Sequence, residues 1–388
     1  MIKILLVIGL ALIPFAMWPG LDSREPKLAM ALVFALALSL TGLYQGVLKP
    51  VRNKWLLFLM GFFLINIWLC PKPIIPYAGT IIGAFWVWEP FCYALIFFLM
   101  YVTLSSLIYN AKEKEILFNI MAWVGLIMSI YVFLQFFGID QFYSITGKHE
   151  AMRTPCGFVG GTLGHPTVVS SFIGMIIPIA LFLKKYWFAS IMILAVLATK
   201  SNVAIGAMIA SLVFLYALKD QKTAVLVAIT SFIFILLAIS AYIYIPQFRP
   251  FIGDSGRFGV WQNILKDVNS PIAEGAKQRY PYTGLGIGSF KYIFHVKHSG
   301  VIIPFFQAHN EYLEILFTMG IAGLGLFVMS LWTALVGKIT RERKFLLTSF
   351  ACIAIAAGGT FVWHLGAHIY YSIVILALLS TKEITHAR

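Results

Sequence analysis

Charge is what this chain has least of. Only 11% of its 388 residues are Asp, Glu, Lys or Arg, where a soluble domain carries roughly a quarter. A water-exposed globular domain is thereby excluded. Metal-ligand spacing is missing too. Cys70, Cys92, Cys156 and Cys352 are scattered and read as packing residues. His295, His298 and His309 have no carboxylate or cysteine set at ligand distance, so neither a metal nor another cofactor is expected. Alternating segments of ~10 residues, the mark of an outer-membrane barrel, are lacking. No small-residue cleavage site precedes Pro19-Gly20, so the leading apolar run is expected to remain as a first span. No internal repeat is evident, which removes the signature of many transporters.

What remains is apolar. Hydrophobic residues make up 60% of the chain and mean hydropathy is +0.89. Apolar runs near 20 residues recur throughout, so the fold class expected is an all-α polytopic membrane protein. The runs fall at 2–18, 28–48, 55–70, 90–109, 116–137, 166–183, 186–199, 203–218, 223–245, 312–337, 345–363 and 366–380, twelve spans in all. Residues 71–89, with Pro71, Pro73 and Pro76, look too broken for a helix and are expected to be re-entrant or interfacial.

The formal charge of +14 is dispersed between spans, so it is a topology signal and not a nucleic-acid footprint. Sixteen Lys/Arg lie on one side: Lys3, Lys49, Arg52, Lys54, Lys112, Lys114, Lys184, Lys185, Lys219, Lys222, Lys338, Arg341, Arg343, Lys344, Lys382 and Arg388. The short loops opposite carry six: Arg24, Lys27, Lys72, Lys148, Arg153 and Lys200. The positive-inside rule then puts both termini in the cytoplasm and the long loop outside. The chain divides into helices 1–9 (1–245), that loop (246–311) and helices 10–12 (312–388).

The loop Gln247–Glu311 interrupts the apolar chain with seven Lys/Arg, a burden that topology does not require. Phe258, Trp261, Leu265 and Val268 recur at helical spacing, which predicts a short amphipathic helix with Trp261 at headgroup depth. Arg257, at its start, reads as an arginine on a lipid phosphate or on a substrate phosphate. Gly284-Leu-Gly286-Ile-Gly288 follows Arg279-Tyr-Pro281. It lacks the βαβ context of a dinucleotide fingerprint and suits a structural turn as well as a ligand cradle. Asn310 is the expected N-cap of the next helix, with Glu311 in its first turn. His309 then sits at a positive helix end, which favours the neutral imidazole of a general base, and the free N–H groups there can receive a phosphate. Read by itself, His309 also fits an interfacial histidine hydrogen-bonded to its surroundings. His364 and His368 share a helix face after Trp363 and are read chiefly as interfacial structure.

These residues resemble the O-antigen ligase and polymerase superfamily of bacterial envelope glycan assembly. The resemblance lies in Arg257…Trp261…Pro281-Tyr-Thr-Gly284-Leu-Gly286-Ile-Gly288-Ser-Phe290…Ala308-His309-Asn310-Glu311-Tyr312-Leu313…Gly320. An earlier stretch, Arg153…Gly161-Thr-Leu-Gly164-His165-Pro166, is similar to the family's glycine-proline motif. It covers roughly residues 150–335. It implies transfer of a glycan from undecaprenyl pyrophosphate to an acceptor hydroxyl on lipid A-core or on another glycan, at the periplasmic face of the inner membrane. His309 and Arg257 would be catalytic. Arg153, Lys200, Arg279, Gly284, Gly286, Gly288, Asn310 and Glu311 would bind substrate. Where the family often has Ser-Arg between two central spans, this chain has Thr199-Lys200-Ser201-Asn202, so Lys200 or Arg153 would supply that charge. Ligase ranks first and polymerase second. A secondary transporter or lipid flippase is the rival from another class, weakened by span centres that contain almost no ionisable residue.

Overall fold

The computed structural model describes residues 1–17, 24–49, 53–68, 81–107, 109–139, 159–218, 295–298, 301–304 and 308–380, with Trp261, Tyr282 and Gly284. Within them lie helices α1 (Ile2–Leu12), α2 (Arg24–Tyr44), α3 (Lys54–Trp68), α4 (Ile81–Ser106), α5 (Ala111–Phe136), α6 (Pro166–Phe182), α7 (Tyr186–Ala198) and α8 (Asn202–Ala217). A hairpin follows, β1 (His295–His298) with β2 (Val301–Pro304), and then α9 (Glu311–Leu335), α10 (Arg341–Ala357) and α11 (Gly366–Ser380). Three helices, Glu25–Tyr44, Ala111–Phe136 and Glu311–Leu335, are long and apolar enough to cross a membrane, and shorter apolar helices accompany them.

Two helices make the centre. α6 is buried from Thr167 to Ala180 and α11 from Gly366 to Leu379. Both are apolar on every side, as an enclosed helix must be. α5, α7, α8 and α10 pack on α6, while α2, α4, α9 and α10 pack on α11. α10 therefore joins the two halves, and α3 lies outermost on α9. The periphery turns large apolar side chains outward: Phe58 is 60% exposed and Trp187 82% exposed. A soluble protein of this size would hide them, whereas hydrocarbon accepts them.

The two ends of the bundle differ. At one, Lys3 pairs with Glu113 at 2.6 Å and Lys114 with Glu342 at 2.7 Å. Arg343 closes the same end by donating to the Leu379, Ala334 and Leu335 carbonyls, satisfying the last turns of α9 and α11. At the opposite end Lys27 is buried, its Nζ donating to Ala16 O and Thr162 O, each at 2.7 Å. Lys27 thus ties helix ends together inside the protein, a role beyond the topology signal it was counted for.

Three expectations need correction. α4 starts at Ile81, so residues 81–89 are helical and not part of a broken stretch; the helix runs through Pro90, which an apolar environment tolerates once neighbouring groups take up the freed carbonyl. α10 spans Arg341–Ala357 and stops at Gly358-Gly359, before the end read from hydropathy. His364 and His368 do not share a helix face: His364 lies in a 3₁₀ turn, Val362–His364, and extended Leu365 separates it from α11. The architecture is all-helical as expected, with one addition: a short hairpin whose register pairs His298 with Val301 and leaves two linking residues. The ninth span (223–245), the amphipathic helix apart from Trp261, and residues 71–80 lie outside the described residues.

Candidate functional site

The start of α9 gathers the motif segments. Asn310 has extended backbone (φ −156°, ψ 108°), and its side chain accepts from Leu313 N at 3.1 Å, so it is the N-cap its type and position predict. Its Nδ2 donates 2.9 Å to Gly358 O. Glu311 is 2% exposed and its Oε1 accepts from Trp363 N at 2.7 Å. Tyr312 Oη donates 2.7 Å to Ala354 O. Three consecutive residues therefore pin the end of α10 and the loop that leads to α11. Asn310 and Glu311, expected to bind substrate, use their polar atoms on the α9 cap and on this loop.

His309 precedes the cap with φ 51°. Left-handed backbone outside glycine costs ~1–3 kcal/mol and collects at functional sites. Lys184 (φ 59°) and Lys200 (φ 54°) share the conformation, but each follows a helix C-cap, where it is ordinary. At His309 it falls instead one residue before a helix N-cap. The His309 ring packs on Phe361, centroids 5.2 Å apart, with Nδ1 shielded from solvent.

Two distant pieces of sequence dock on this helix start. Trp261 Nε1 donates 2.9 Å to Ala308 O, so the expected headgroup anchor is held by the backbone next to His309. Further along α9, Gly320 breaks the helix with φ 67° and ψ −171°, a region only glycine occupies readily. Tyr282 O accepts from Ala322 N at 3.1 Å across that break. A Cβ on Gly284 would strike the Thr318 carbonyl, and one on Gly320 would strike the Tyr282 carbonyl. Gly284 is thus a glycine that close backbone packing requires.

Lys200 is exposed in the turn between α7 and α8. That turn is fixed by Ser201 Oγ to Thr167 Oγ1 at 3.0 Å, and Val203 just beyond it abuts Gly359. The Lys200 turn and the loop pinned by Asn310 are therefore neighbours at one end of the bundle. Arg153, Arg257, Arg279, Gly286 and Gly288 lie outside the described residues.

One feature had no local sequence signal. His364 Nε2 lies 3.4 Å from Glu311 Oε2, and Nδ1 lies 3.8 Å from Glu314 Oε1. The ring stacks on Tyr93, 5.6 Å between centroids at 9°. Glu314 Oε2 accepts from Ala308 N at 3.1 Å, so each carboxylate has one oxygen on a backbone N–H and the other toward the imidazole. The trio stands at the wall of a cavity of ≈ 160 Å³ between α3, α4, α9, α10 and α11. Its lining is otherwise mostly apolar, including Phe63, Phe97, Phe327 and Phe350. A cavity of about this size accepts a benzene-sized group. Glu311 and His364 are each apparent in the sequence, but nothing in it signals that they meet, or that Glu314 joins them.

No protein-family model matches the chain, and no curated protein was found to be similar to it.

Proposed function

We propose that the chain is a membrane glycosyltransferase of the O-antigen ligase and polymerase type, most readily a ligase. It would move a glycan from undecaprenyl pyrophosphate to a hydroxyl of lipid A-core. In this reading twelve spans cross the bacterial inner membrane, both termini are cytoplasmic, and the reaction takes place on the periplasmic side. Arg257, with Lys200 or Arg153, neutralises the charge that develops on the departing diphosphate. His309 is the imidazole at that centre, beside the positive start of α9. Membrane lipid and the two glycolipids are the only partners required.

The observation that carries the reading is the convergence on α9. Trp261, Tyr282-x-Gly284 and Ala308-His309-Asn310 are far apart in sequence, yet all meet the first turns of that helix. They are also the segments in which the family resemblance lies. The left-handed backbone of His309 adds support, because such conformations collect at functional sites.

The test is reconstitution with a lipid-linked oligosaccharide, offering lipid A-core or a second lipid-linked unit as acceptor. Ligase activity gives product with the first only, polymerase activity with the second only. Uptake of labelled substrate into vesicles without covalent product would replace the proposal with transport.

A further inference from the structure

The acceptor hydroxyl must lose a proton, and the group best placed to take it is not the histidine of the motif. His309 packs against Phe361 and does not line the cavity beside α9, whereas His364 does. We propose that His364 is a further catalytic residue, receiving the acceptor's proton from a hydroxyl bound at the polar end of this cavity. His309 is then left to the diphosphate. The inference rests on the glycan-transfer reading.

Three observations carry it. Glu311 Oε2 lies 3.4 Å from Nε2, and a carboxylate beside a catalytic imidazole holds its orientation and stabilises the imidazolium formed; Glu314 Oε1, 3.8 Å from Nδ1, is beyond hydrogen-bond reach and leaves that nitrogen open to a hydroxyl. Both carboxylates are themselves fixed by the backbone N–H groups of Trp363 and Ala308, so the charge beside the ring is in place before substrate arrives. The ring is also reachable: its side chain is 20% exposed at the cavity wall, while Glu311 is at 3%. Among the described residues, the titratable groups facing it are Glu311 and Glu314 from α9 and Tyr93 from α4.

The step balances without a co-reactant. The acceptor oxygen forms a bond to the anomeric carbon as that carbon's bond to the diphosphate oxygen breaks. The electron pair leaves on the diphosphate, and the hydroxyl proton passes to Nδ1 of His364. Nε2 stays toward Glu311, whose charge offsets the imidazolium.

Chemical rescue decides the matter in the reconstituted full-length protein. His364→Ala should lower kcat by about 10²–10⁴-fold, the usual contribution of a general base, and added imidazole should restore part of it. His309→Ala should lose turnover without such rescue. His364→Ala turning over at the rate of the unaltered protein overturns the proposal. So does a loss that imidazole leaves untouched, which would assign His364 to holding the loop. His364→Gln, nearer in shape, guards against misfolding: it should match the unaltered protein in thermal stability yet share the loss of kcat. If His364→Gln retains turnover, the proposal fails. No transfer by the unaltered protein to any acceptor overturns the glycan-transfer reading instead.

Discussion

Asn310 makes two bonds that substitution can separate. Its carbonyl oxygen caps α9 through Leu313 N, and its amide nitrogen holds the α10–α11 loop through Gly358 O. Loss of an N-cap costs about 1 kcal/mol, and a hydrogen bond to a half-buried carbonyl adds about 1 kcal/mol net. Asn310→Ala should therefore lower stability by about 2 kcal/mol. Asn310→Ser keeps an oxygen for the cap and loses only the donor, so it should cost about half as much. The assay is equilibrium unfolding in mixed micelles of mild detergent and SDS, comparing the two variants under one condition. The expected order is Ala below Ser below the unaltered protein, by similar steps. Equal stability of the two variants, or no change in either, would refute the idea that one side chain ties α9 to the loop carrying His364.

Other expectations follow from the same contacts. Gly320→Ala should destabilise by about 3 kcal/mol in that assay, since it strains the backbone and pushes on the Tyr282 carbonyl. Gly325→Ala, five residues on in the same helix with open space around it, should be neutral or stabilising by about 0.5–1 kcal/mol. Lys27→Met should cost about 2 kcal/mol, because the Ala16 and Thr162 carbonyls each lose a donor in a buried place; stability unchanged in this variant would mean the buried ammonium is no net asset.

Much of the helical layout was legible because hydropathy and caps act locally. The Asn-Glu-x-x-Glu run marked the start of α9, and the structure has Asn310 as its cap. Local rules also misled. Three prolines in 71–76 argued against a helix that in fact begins at Ile81, a few residues beyond them. Val296, Val301, Ile302 and Ile303, flanking Ser299-Gly300, carry the β-branched residues and two-residue link of a hairpin. Strands of four residues inside a basic, glycine-rich loop are too short to stand out from it. The His364 cluster was hidden for a different reason. It depends on α9 meeting the α10–α11 loop and on Tyr93 from α4, and no spacing rule reports contacts between segments so far apart. Gly284 shows the reverse case. The sequence marks it as special, and the backbone of Thr318–Met319 packed against it gives the structural reason.

The most direct test of the account is turnover of a lipid-linked glycan by purified His309→Ala and Arg257→Ala proteins in liposomes containing lipid A-core. The account predicts that the unaltered protein forms product and that each variant inserts into the membrane normally yet loses transfer by at least ~10²-fold. Product at the unaltered rate from both variants would contradict it.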